Sequence, residues 1–194
     1  MKAIEVIRQE HRALSAVLHG MQSLVSEIRD RAAKPDFAVL GAMIYYIDTF
    51  PERIHHPKED RYLFPLVRSR CPSAGALVDR LEAEHAEGAR AMRSLAHAFS
   101  RYQQGGSGEF AAFTVALDRF ARLEWDHMRA EESELLPLAE EHLLPDDWKT
   151  IDAAFLAHRD PLAGAGADEH RALFRRIVML APPPIGVGSG SHAN

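Results

Sequence analysis

Ile4, Ile7, His11, Leu14, Leu18, Met21, Val25 and Ile28 alternate steps of three and four residues, the spacing of an inward helix seam, and predict one helix over 3–30. One seam position, His11, is not apolar. The stretch 30–35 breaks the pattern, and Asp36 is placed to cap a second helix over 36–69. That helix carries Ile44, Ile47, His55, Glu59, Leu63 and Leu66 inward. It also contains Pro51, Pro57 and Pro65, each of which removes a backbone donor and predicts a kink. Pro57 lies between His55 and Glu59, where a bulged turn is expected. Val78, Leu81, His85, Gly88, Met92, Leu95 and Phe99 predict a third helix over 74–103, again with a histidine in an apolar seam. After the loop 103–108, Phe113, Leu117, Phe120, His127, Glu131, Leu135 and Leu138 face inward on a fourth helix over 109–142.

Four long helices with short connections predict an all-α fold, an up-down-up-down four-helix bundle over residues 1–144. Beyond it, a short helix starting at Asp146-Asp147 and running through Ala157, a loop at 159–167 and a last helix over 168–180 are expected. These form an appendage, 145–181, whose two helices pack outside the bundle. The Pro/Gly/Ser-rich end, 182–194, is expected to be a disordered tail.

The second and fourth helices contain one stretch twice. From His55 the chain reads His, three residues, Glu59, three residues, Leu-Phe-Pro-Leu; from His127 it reads His, three residues, Glu131, three residues, Leu-Leu-Pro-Leu. Each half of the bundle is therefore a helix with one inward histidine followed by a helix with His-x-x-x-Glu. Residues four apart share one helix face. Imidazole plus carboxylate, presented twice, suits a pair of transition-metal ions with carboxylates available to bridge them. Burying two carboxylates in a bundle is costly unless they are paired or bind metal, and the inward partners on offer are histidines. Without metal, the two carboxylates are expected to raise one another's pKa.

Composition narrows the picture. Net charge of −5 and a pI near 6.1 argue against nucleic acid or an anionic membrane as partner. A single cysteine, Cys71, rules out an internal disulfide and suits the cytoplasm, and the charged start MKAIEVIRQEH is unlike a signal peptide. No apolar run is long enough to span a bilayer. No nucleophile–base pair, phosphate loop or nucleotide fingerprint is present.

His11 in EHRAL, His55 and Glu59 in HHPKED, His85 in AEHAEG, and His127 and Glu131 in HMRAEE together resemble the hemerythrin-like (HHE cation-binding) family of bacterial type, over residues 3–142. The resemblance implies two iron ions, a non-haem di-iron centre with oxo, hydroxo or water bridging, bridged by Glu59 and Glu131 and held terminally by His11, His55, His85 and His127. Ligand chemistry alone equally allows manganese or zinc. Oxygen-carrying hemerythrins carry His-x-x-x-His on the third helix, whereas Leu81 and Ala89 stand four residues from His85 here. The pattern is closer to members linked to sensing of nitric oxide or oxygen and to repair of iron centres. The repair proteins often bear a cysteine-containing N-terminal segment; this sequence starts at its first expected helix.

Three functions are compatible with this reading. The first is binding or sensing of oxygen, nitric oxide or peroxide through a carboxylate-bridged centre, with a redox partner the sequence does not name. The second is an enzyme-like role, reducing such species or donating iron for repair. The third is metal storage or a structural metal. Among rivals for the site, His56 lies three residues before Glu59, but the second copy has Met128 there, so the duplication favours His55. Glu124, three residues before His127, is the acidic neighbour best placed to reach metal; Glu132 and Glu134 read as solvated or supporting. His170, in a second EHRAL, and His19, His97, His142, His158 and His192 read as surface or core histidines.

Overall fold

The computed structural model describes residues 1–157. The expected loop 159–167, helix 168–180 and tail, with His158, His170 and His192, lie outside the described residues. Helix α1, Lys2–Arg31, ends where Ala32 adopts a left-handed conformation at φ 52°. Its seam is buried from Ile4 to Val25, with Ile28 partly covered. Asp36 caps α2, residues 37–70, by accepting a hydrogen bond from the Val39 amide at 3.0 Å. Helix α3, Gly75–Gly105, buries every expected seam residue and stops at Gly106, whose φ of 66° suits glycine. Helix α4 spans residues 110–142 and α5 is Pro145–Ala157. Among the described residues there is no strand, and no helix is long and apolar enough to cross a membrane.

Helices α2 and α4 are not regular. Wide π turns occupy Pro51–His55 and Glu59–Leu63 in α2, and Glu131–Leu135 in α4. Each is followed by one residue whose amide donates five residues back: His56 to Pro51, Phe64 to Glu59, and Leu136 to Glu131. The next residue is always proline: Pro57, Pro65 and Pro137. A proline has no amide proton for the carbonyl four residues back, and its ring presses on that carbonyl. One widened turn relieves the clash and leaves the helix continuous. The bulge expected between His55 and Glu59 lies instead before Pro57, at Pro51–His55, with His56–Lys58 regular; it is one of three, and their effect is register. The extra residue rotates the face that follows, so Phe64 and Val67 are buried and Leu66 only partly; likewise Leu136 and Ala139 are buried and Leu138 only partly. Leu66 and Leu138, expected inward from unbroken periodicity, are corrected by one position for this reason.

The apolar core is in two pieces. One gathers Leu14 to Val25, Val39 to Phe50, Ala91 to Tyr102 and Phe113 to Ala121. The other gathers Ala3 to Ile7, Leu63 to Val67, Val78, Leu81 and Leu135 to Ala139. A polar layer of histidines and glutamates lies between them. Trp148, Ile151 and Phe155 of α5 join the second piece. Pro145 begins that helix, and Asp147 accepts from the Leu144 amide at 2.9 Å and from Arg70 at 2.8 and 3.0 Å, tying α5 to the end of α2.

Candidate metal centre

Each of the four long helices contributes a histidine that turns Nε2 inward in the polar layer, and α2 adds a second buried histidine, His56. His11 Nε2 and His55 Nε2 are 3.2 Å apart; His85 Nε2 and His127 Nε2 are 2.9 Å apart. Glu59 spans the two pairs, with Oε1 at 3.3 Å from His55 Nε2 and Oε2 at 3.5 Å from His85 Nε2. Glu131 does the same from the opposite helix, with Oε2 at 3.2 Å from His11 Nε2 and Oε1 at 3.4 Å from His127 Nε2. Both glutamates open a π turn, which sets each at a break in the helix ladder. All six residues singled out by the sequence are therefore brought together, and all are buried.

The outward nitrogens are occupied too. His11 Nδ1 donates to Glu132 at 2.8 Å, His55 Nδ1 to Glu10 at 2.6 Å, His85 Nδ1 to Asp60 at 2.8 Å, and His127 Nδ1 to Glu84 at 3.0 Å. The pattern follows the duplication. The residue before the histidine on α1 or α3 holds the histidine of the next helix, and the residue after the glutamate on α2 or α4 holds the histidine of the other half. A carboxylate on Nδ1 fixes the tautomer, aims Nε2 and raises its basicity. Sequence reading missed Glu10, Asp60 and Glu84 in this role. The signal was there: the dipeptide Glu-His at 10–11 and 84–85, and an acidic pair at 59–60 and 131–132.

Without metal the layer balances its charge with protons. Burial lowers the pKa of His11, but its contacts with Glu131 and Glu132 prevail and raise it to about 9. Burial is likewise outweighed at His85 by Asp60 and Glu59, again giving about 9, and at His127 by Glu131 and Glu84. Burial raises Glu131, yet His127 and His11 hold it well below the usual carboxylate range. The expectation that the paired carboxylates raise one another thus fails for Glu131, because cationic histidines lie closer to it than the other carboxylate's influence can offset.

Metal fits this donor set. None of the four oxygens of Glu59 and Glu131, each inaccessible to water, has a hydrogen-bond partner, an arrangement costly in a protein interior. His11, His55, Glu59 and Glu131 offer ligand atoms within 4.8 Å of one another, as do Glu59, His85, His127 and Glu131. The two groups share both carboxylates and are two candidate sets of cation ligands. The family model for the hemerythrin HHE cation-binding domain matches residues 2–139. The chain belongs to that family. Comparison with curated proteins and with solved structures returned no match. As a hemerythrin-family bundle, the protein carries a metal cation-binding site in this layer.

Other candidates fall on either side of the centre. His19 and His97 are exposed, His19 donating to the Ser15 carbonyl at 2.7 Å, and His142 is half-buried. Glu134 pairs at the surface with Arg80. His56 and Glu124 are buried, with His56 Nε2 at 3.8 Å from Glu124 Oε2. Burial raises the pKa of Glu124; burial and then Glu124 raise Glu52 to about 8. Burial and the flanking histidines push His56 well below its ordinary value, keeping it neutral. On the His11 side, Ser15, His19, Trp125, Met128 and Glu132 line an open cleft of about 450 Å³.

Proposed function

We propose that the protein holds two iron ions and uses them to bind or sense oxygen, nitric oxide or a related species such as peroxide, without steady turnover. The observation that supports this reading best is that Glu59 and Glu131 each set one oxygen beside each histidine pair. Carboxylates so placed join two cations in one centre. When bound, an iron pair supplies redox chemistry and coordination positions for small ligands. The chain supplies the rest. Four carboxylates keep the imidazoles aimed and basic, the two apolar clusters keep water from the glutamates, and the cleft beside His11 gives small molecules an approach. The preference for iron over manganese or zinc rests on the family. A cytoplasmic setting accords with the buried free thiol of Cys71.

Elemental analysis of anaerobically purified protein, followed by absorption spectra on exposure to oxygen and then nitric oxide, tests the reading. Two irons per chain and a spectral response to at least one gas are expected. A metal-loaded protein that holds fewer than two metal ions per chain, or an iron spectrum indifferent to both gases, would overturn it.

A further inference from the structure

Among the described residues, His56 is the one buried histidine of the layer that has no hydrogen bond on either ring nitrogen. It is 5 % exposed, its Nδ1 has no hydrogen-bond partner, and its Nε2 reaches only Glu124 Oε2, at 3.8 Å. Glu124 Oε2 is itself buried and without a hydrogen bond. Leaving two polar side chains so placed is costly in a core. The ring stacks on His85 at 4.2 Å between centroids, and His56, His85 and His127 offer ligand atoms that all lie within 4.8 Å of one another. The other four histidines each set one nitrogen among the inward donors and the other on a carboxylate. His56 has candidates for both: the His85–His127 pair on one side and Glu124 on the other.

We propose that His56 is a further metal-ligating residue, which gives the His85–His127 side of the centre a third nitrogen donor, with Glu124 as the carboxylate that orients its ring. The proposal rests on the metal-pair reading above. It makes the two metal positions unequal. His56, His85, His127, Glu59 and Glu131 serve one; His11, His55, Glu59 and Glu131 serve the other. The duplication breaks at this point, because the second copy places Met128 where the first places His56, and Met128 lines the cleft beside His11. The position with fewer donors is therefore the one the cleft approaches, and outside ligands bind there first.

The test uses the full chain freed of metal, titrated with zinc by calorimetry, and with ferrous iron under argon by Mössbauer spectroscopy. His56→Met writes the residue of the second copy into the first. It should weaken one of two zinc ions at least tenfold, leave the other unchanged, and shift one of two iron doublets. Glu124→Gln should weaken the same ion less. Nitrogen-15 shifts of the histidine rings in the zinc-loaded wild type count the ligands independently of any variant's folding: five metal-bound histidines are expected. Four bound histidines, or a His56→Met protein with wild-type affinities and doublets, overturn the proposal while leaving the metal pair intact. A wild type that takes up fewer than two ions overturns both.

Discussion

His55 Nδ1 donates to Glu10 Oε2 at 2.6 Å, and both side chains are buried, at 3 % exposure each. Glu10 also takes Lys58 Nζ at 3.5 Å, and that ammonium lies 5.2 Å from the centre of the Phe155 ring on α5. The orientation of one imidazole of the candidate centre is thus locked from outside by a carboxyl group that water does not reach. Glu10→Gln keeps the shape and removes the charge, and should lower metal affinity about tenfold or more. Glu132→Gln should do less, because Glu132 is 42 % exposed and water can take its place beside His11. Competition with a chelator of known affinity ranks the two; equal losses would show that burial of the carboxylate is irrelevant.

The duplicated pairs predict which histidines matter. His55→Ala removes a donor from the set it forms with His11, Glu59 and Glu131, and His127→Ala one from the set it forms with Glu59, His85 and Glu131; elemental analysis should show a clear drop in bound metal in both. His97→Ala, on the exposed face of α3, should retain the wild-type content. Full retention in His127→Ala would end the assignment of the centre.

The helix seams were legible because apolar spacing reports burial directly, and His11, His55, His85 and His127 stood out as polar residues in apolar seams. Two things were not legible. The outer carboxylates Glu10, Asp60 and Glu84 look like ordinary solvated acids until the histidine of another helix is placed beside them. The register beyond each glutamate was hidden by the π turns, since a wide turn shifts every later residue without changing the sequence pattern. Val67 and Leu66 separate the two registers. Val67→Ala should cost about 2 kcal/mol, two buried carbons plus a cavity, and Leu66→Ala less. Denaturant melts of the two variants check this, and the reverse order would restore the unbroken helix.

Protons and metal compete for the same nitrogens. His11 and His85 rise from 6.5 to about 9 in the metal-free fold, so their contribution is complete below pH 6.5 and lost as pH rises through 9. Each is worth on the order of 3 kcal/mol. Glu52, raised from 4.5 to about 8, favours the protonated folded form and adds a decline between those values. The metal-free protein should therefore lose melting temperature from about pH 6.5 to 9, while metal affinity rises across the same range. The stabilisation by metal should shrink as pH falls, and uptake at pH 7 should release protons, seen as a buffer-dependent calorimetric enthalpy. A stabilisation independent of pH would place the metal elsewhere.

Gly88 offers the last test, because here two opposing effects differ in sign. Alanine for glycine inside a helix favours folding by about 1 kcal/mol. A Cβ at Gly88, however, would stand 3.0 Å from Glu124 Oε1 and 3.6 Å from Glu52 Oε1. Glu124 is 2 % exposed and held on α4, so its carboxylate cannot swing into water and must be pushed away from its place beside His56. Displacing a buried carboxyl without offering it a partner costs about 1–3 kcal/mol, which exceeds the helix gain. Gly88→Ala should therefore melt below the wild type, and the ion on the His85–His127 side should bind more weakly. Gly75→Ala, whose Cβ meets nothing within 4 Å, provides the contrast and should gain a few tenths of a kcal/mol or more. A Gly88→Ala protein more stable than the wild type, with both metal affinities intact, would show that Glu124 has room to move and that its position beside His56 carries no function.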